Sequence, residues 1–168
     1  RSECVGRRRD PIPGSGLAAS SCTALDTSTA GDHSVICTGT DNAGNQSSET
    51  IHYTVQYKLL GLFSPAPSSK WKTGQTVPVK VALVDANGVR ISYREAAGLL
   101  SPTCRVQFSA SGAQTLNATC IKYDAANHQF VYGWRLGSST GPDTISVTVS
   151  YLGSAATTST SESITIAK

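Results

Sequence analysis

The segment DTISVTVSYLG, residues 143–153, constrains the fold class more than any other part of the chain. Ile145, Val147, Val149 and Tyr151 alternate strictly with Thr144, Ser146, Thr148 and Ser150. Successive side chains on a strand point to opposite faces, so this segment has one apolar face and one hydroxyl face. The same period of two recurs along the 168 residues. Val77, Val79, Val81 and Leu83 alternate in TVPVKVALV, Val106 and Phe108 mark a further strand, and CIKYD leads through AANH to QFVYGWRL. ESITIAK closes the chain. Only SYREAAGLL (Ser92–Leu100) has helical character, and it is short. Ser and Thr supply 42 residues and only 15% of the chain is charged, a composition that suits strands and turns better than helices. Roughly seven strands with turns about every 8–12 residues predict an all-β chain of immunoglobulin-like sandwich type.

Residues 34–57 read as a β-hairpin with DNAGN as its turn. Ile51, Tyr53, Val55 and Tyr57 share one face of the second arm. Gly44 supplies the left-handed conformation of the turn, and Asp41 and Asn42 are placed to bond its N–H groups. YKLLGLFSPAPSSKWK (Tyr57–Lys72) breaks the periodicity. It reads as a linker or entry segment, with Leu60, Leu62 and Phe63 tucked against one domain. The predicted organisation is a partial unit over 1–56, this segment over 57–72, and a full sandwich over 73–168. Residues 1–20 are rich in Pro, Gly and Arg, have no strand pattern, and are expected to be poorly ordered. Within Thr76–Val84, Pro78 has no N–H for a ladder and Lys80 discourages pairing with another chain. That strand is therefore expected at a guarded sheet edge, ahead of a ligand role for Lys80.

The net charge is +3, with −2 on residues 1–56 (four Arg, six Asp/Glu) and +5 on 57–168 (ten Lys/Arg, five Asp/Glu). The run Arg7-Arg8-Arg9 is cut short by Asp10-Pro11 and reads as solvated, so nucleic-acid binding is not expected. No stretch approaches the ~20 apolar residues of a membrane helix. No secretory signal is visible. The chain opens on Arg1 rather than Met, which suggests a removed leader or a fragment.

Cys4, Cys22, Cys37, Cys104 and Cys120 show no C-x-x-C and no His at ligand spacing, which argues against zinc. Cys104 and Cys120 flank a hairpin-like excursion and are expected to pair in an oxidising compartment; two buried thiols are the alternative. Three cysteines in the first part leave one over, with an upstream partner as one solution.

No catalytic constellation is legible. Asp32, His33 and Ser34 are consecutive, so on a strand they cannot converge as a triad. His52 reads as solvent-facing and His128 as a turn residue. Asp41, Asn45, Asp85 and Asn87 are weak calcium candidates, because each loop offers one carboxylate and calcium takes six to eight oxygens. Capping of turns explains them equally. Phe130, Tyr132 and Trp134 lie on one strand face. The opposite face, Val131, Gly133 and Arg135, is a poor core face, so the aromatics are expected inside rather than as a sugar platform. Trp71, between Lys70 and Lys72, is the candidate exposed aromatic, with interdomain packing as its other reading. Asn45 and Asn117 head glycosylation sequons.

GQTVPVKVALVDANGVRIS resembles the signature of the bacterial PxKF domain, a C-terminal module of secreted proteins. Pro78 and Lys80 match its Pro-x-Lys-Phe motif, and Val81 replaces the Phe. YKLLGLFSPAP and YDAANHQFVYGWRL are similar to that family's entry segment and later hairpin, so the resemblance covers residues 57–168. GLAASSCTALDTSTAGDHSVICTGTDNAGNQSSETIHYTV is similar to the last half of bacterial Ig-like repeats of the HYR type, while RSECVGRRRDPIPGSG fits that pattern badly. The expectation is a chain that starts inside a repeat of a longer protein. The resemblance implies that Cys4 lies near Cys22, which leaves Cys37 to an upstream partner. It implies secretion, an extracellular or cell-surface location, and neighbouring domains of the same parent as partners. A bacterial source removes the weight of the sequons.

The sequence thus predicts tandem Ig-like sandwiches, the first truncated, without cofactor. It predicts a non-catalytic structural or interaction module, a spacer or surface-presenting segment. The alternative is a carbohydrate-binding or adhesin module appended to a secreted enzyme, with polysaccharide as partner.

Overall fold

A computed structural model describes residues 14–27, 29–151 and 155–168. Within them the chain forms β1 (Leu17–Cys22), β2 (Gly31–Asp41), β3 (Gln46–Val55), β4 (Lys58–Ser64), β5 (Lys70–Lys72), β6 (Thr76–Val84) and α1 (Tyr93–Leu100). After the helix come β7 (Val106–Gly112), β8 (Leu116–Cys120), β9 (Lys122–Asp124), β10 (Gln129–Arg135), β11 (Gly141–Ser150) and β12 (Thr157–Ala167). The chain divides into two compact units. One holds the described residues through Asp26 together with His33–Tyr53, and the other holds Thr54–Lys168 with the short segment before His33. Cys4 and the Arg7–Arg9 run lie outside the described residues.

The larger unit is an immunoglobulin-like β-sandwich. One sheet has the order β4-β6-β10-β9 and the other β5-β12-β11-β7-β8. All pairings are antiparallel except β5 with β12. The alternation read from the sequence is what joins the sheets. Val77, Val79, Val81, Phe130 and Trp134 from one sheet, and Val106, Phe108, Ile145, Val147, Val149, Ile164 and Ile166 from the other, form one buried cluster. The alternating Thr and Ser of β11 turn outward. Helix α1 starts at a capping box. Ser92 Oγ accepts from the Glu95 N–H and the Glu95 carboxylate accepts from the Ser92 N–H, while Ala96 and Leu99 are buried.

Two expectations are corrected here. Residues 57–72 are not a linker, because they contribute β4 and β5, one strand to each sheet. Leu59 and Leu62 pack on the core, but Leu60 and Phe63 stay exposed, with Arg90 lying 5.2 Å over the Phe63 ring. Nor is Thr76–Val84 an edge strand, since β6 lies between β4 and β10. The proline is tolerated for a local reason. The Leu136 N–H donates to the Gln75 carbonyl at 2.8 Å, and the register continues through Trp134↔Val77 and Tyr132↔Val79. Odd-numbered residues of β6 therefore bond to β10, and Pro78 faces the β4 side. Pairing with β4 reaches only Ser64↔Lys80. Pro78 stands beyond its end, where no ladder donor is needed.

The smaller unit is the three-stranded antiparallel sheet β1-β2-β3. The expected hairpin is present, with Gly44 at φ 88°. β1 starts at Leu17, inside the stretch expected to be poorly ordered. The second arm stops at Val55, and Tyr57 belongs to the core of the larger unit instead. Val35 and Cys37 are buried, whereas every residue of β1 is exposed. A disulfide joins Cys22 to Cys37 across the β1–β2 register. This corrects the pairing of Cys4 with Cys22 and removes the need for an upstream partner for Cys37, since Cys22 holds one bond only. A second disulfide joins Cys104 to Cys120.

Candidate functional site

The residues with chemistry to offer are engaged in holding turns and core. The Asp41 carboxylate accepts from the Ala43 and Asn45 N–H groups at 2.9 and 2.8 Å and from Asn45 Nδ2 at 2.8 Å. Asn42 does not cap the turn; its Nδ2 donates to the Ser15 carbonyl. The Asp85 carboxylate accepts in the same way from the Asn87 and Val89 N–H groups, both at 2.9 Å. Asp41 and Asn45 lie in the smaller unit, Asp85 and Asn87 in the larger. Among the described residues no group of three or more His, Cys, Asp or Glu is arranged to hold a metal ion.

The hydrogen bonds from Asn45, Ser15 and Ala43 hold the exposed Asp41 carboxyl down at about 2, against an ordinary 3.8. The folded turn therefore favours the ionised form. Its contribution is complete above pH 3.8 and is lost as pH falls through about 2. We expect the amide shifts of Ala43 and Asn45 to titrate together with a midpoint near 2. A midpoint at the ordinary aspartate value would show that these bonds do not form.

Phe130 and Trp134 are buried and Tyr132 packs partly buried beside them, so this strand face belongs to the core. Trp71 is half-buried rather than exposed. It packs against the core, and its Nε1 donates to Ser69 Oγ at 2.9 Å. Asp32 Oδ1 accepts from Thr54 Oγ1, while the His33 ring stacks on Tyr53 at 5.5 Å. His128 Nδ1 lies 3.3 Å from the Tyr123 hydroxyl.

The structure also shows a feature that the sequence reading did not assign. A concavity of about 430 Å3 lies on the larger unit, bounded by Pro78 and Lys80 on β6, Val131 and Gly133 on β10, and Cys120 and Lys122. The sequence carried one signal for it. A glycine inside a strand pattern marks a place where another backbone or a ligand comes close, and Gly133 is that glycine. A second concavity of about 350 Å3 lies on the smaller unit beside Gly16, Asp41 and Ser47.

No family model matches the chain, and a search of curated proteins finds no match. Among solved structures the chain resembles an I-band fragment of titin, at 14% identity and a TM-score of 0.38, over 92% of this chain and 50% of that one. It also resembles titin domains Z1Z2 in complex with telethonin, at 11% identity and a TM-score of 0.32, over 86% and 64%. A chimeric Z1Z2 carrying a decorin peptide gives 10% and 0.36, over 94% and 75%. The chain thus spans half the length of the first of these titin fragments.

Proposed function

We propose that this chain is a non-catalytic structural or interaction module, a spacer or surface-presenting segment of a secreted bacterial multi-domain protein. On this reading the larger unit is a PxKF-type domain, the smaller unit is the remnant of an HYR-type Ig-like repeat, and the partners are neighbouring domains of the same parent. The observation that carries the proposal is how the candidate reactive groups are used. The aromatics fill a core and the loop carboxylates cap their own turns. Two disulfides in a chain of this size suit an oxidising, extracellular setting.

The carbohydrate-binding alternative rests on Trp71, a half-buried residue. The two readings separate in co-sedimentation with cellulose, chitin and peptidoglycan. The spacer reading expects the chain to remain in the supernatant with all three, and the Trp71→Ala variant to behave identically. Pelleting that the Trp71→Ala variant loses, with its circular dichroism unchanged, would replace the spacer with an attachment module.

A further inference from the structure

The concavity on the larger unit sits where a sheet edge is left open. β9 pairs with β10 only through Gln129, Phe130 and Val131. Beyond Val131 the chain has crossed to the other sheet, where Cys120 ends β8. The parity set by Leu136 and Gln75 directs the N–H and C=O groups of Tyr132 and Trp134 to β6. Those of Gly133 and Arg135 therefore point to the side that β9 has vacated. No other strand pairs with β10 among the described residues.

The outer side chains around this gap have one sign. Register places Lys80, Val131 and Lys122 in a row across three strands, so the two lysines flank Val131 roughly 10 Å apart. In the next row Pro78 stands opposite Gly133, and then Thr76 opposite Arg135. The floor is small, Lys80 and Lys122 border it, and Arg135 follows two residues further along the same face of β10. The acid next along β9 on this face is Asp124. Its carboxylate already accepts from Ala126 N–H, Asn127 Nδ2 and Gln129 Nε2.

We infer that this notch takes a short, extended, acidic peptide segment of a partner protein, added as a strand beside Gly133 and Arg135. Main-chain bonds to those two residues supply the attachment, and carboxylates on alternate residues meet the three cations. The same cations select against residues 57–168 of a second copy, which carry ten Lys/Arg against five Asp/Glu. The inference goes beyond the spacer reading and stands or falls separately from it.

The test uses the 15N-labelled full chain and a capped six-residue peptide of alternating Glu and Val. The expected result is a set of amide shifts centred on Val131, Gly133, Arg135 and Lys122. Lys80→Gln with Lys122→Gln is expected to weaken binding about tenfold while leaving the free spectrum otherwise unchanged. Alternate residues of a strand face the same edge. Methylating the backbone nitrogens of every Val in one peptide, and of every Glu in another, should therefore cost one of them about tenfold or more and spare the other. The inference is overturned if the unmodified peptide produces no shifts or shifts elsewhere. Equal binding of both methylated peptides would also overturn it. So would polygalacturonate giving the same shifts more tightly than the peptide, because the notch would then be a site for anionic polysaccharide.

Discussion

Phe108→Ala is expected to destabilise the larger unit by roughly 3–5 kcal/mol, the range for emptying a buried aromatic site. Phe108 is fully buried on β7, between strands β8 and β11 of its own sheet. Its ring reaches across the sandwich, 5.1 Å from the Tyr132 ring and 5.7 Å from the Trp134 ring, both tilted. The substitution removes transfer energy, leaves a cavity between two stiff sheets, and deletes two aromatic contacts worth about 0.5–1.5 kcal/mol each beyond area. Domains of ordinary stability hold only about 5–15 kcal/mol in total, so the variant should melt more than about 10 °C lower. Phe63→Ala is the control. Phe63 is 45% exposed and contacts Arg90 at the surface, so its loss should stay within about 1 kcal/mol. Equal melting temperatures for the two variants would mean that the sheets are not joined through Phe108.

The features that the sequence made legible are those written in a period of two. The inward sets Val77–Val79–Val81, Phe130–Trp134 and Ile145–Val147–Val149 are all core. The reason is that a one-residue slip would turn each set to solvent. The DNAGN turn was legible because Asp and Gly act through bonds to their immediate neighbours. What depends on neighbours distant in sequence was not legible. Pro78 and Lys80 describe an edge strand by composition, yet where β4 stops is decided by the path of Ser64 and Pro65, not by β6 itself. The segment 57–72 lacks alternation because its strands are short or irregular, β4 shifting register twice against β6 and β5 having three residues. Trp71 looked exposed between two lysines, but a strand sends alternate side chains to opposite faces, so Lys70 and Lys72 say nothing of where the indole goes. The notch beside Gly133 depends on β9 ending early and leaves only the glycine as its mark.

Gly112→Ala is the second large effect, and its cause is local. Gly112 closes β7 opposite Asp143 with φ 138°, in a region that side chains rarely enter. A Cβ there would stand 2.5 Å from both Asp143 Oδ1 and the Pro142 carbonyl oxygen, and 2.9 Å from Asp143 Cα. Two of those atoms are backbone in the middle of the five-stranded sheet. The third belongs to a carboxylate only 2% exposed, held in place by the Gln114 N–H at 3.0 and 3.3 Å. Burial pushes the Asp143 carboxyl above its ordinary value, and the Gln114 and Ala113 N–H groups pull it only partly back. The folded state therefore favours its protonated form, and its contribution to stability declines as pH rises from 3.8 through the raised value. Backbone strain of about 1–3 kcal/mol adds to a steric term of similar size. Displacing the carboxylate from Gln114 adds the cost of a broken buried hydrogen bond. We expect a loss of at least about 3 kcal/mol in urea unfolding. Gly88→Ala separates the causes: Gly88 has φ 79° but open space around its Cβ position, so it should show strain alone, about 1 kcal/mol. Adding Asp143→Ala to Gly112→Ala should recover part of the steric loss and leave the clashes with the Pro142 carbonyl and Asp143 Cα, so the two substitutions should be less damaging together than their sum. Simple additivity would place the whole cost of Gly112→Ala in the backbone and none in the carboxylate that it faces.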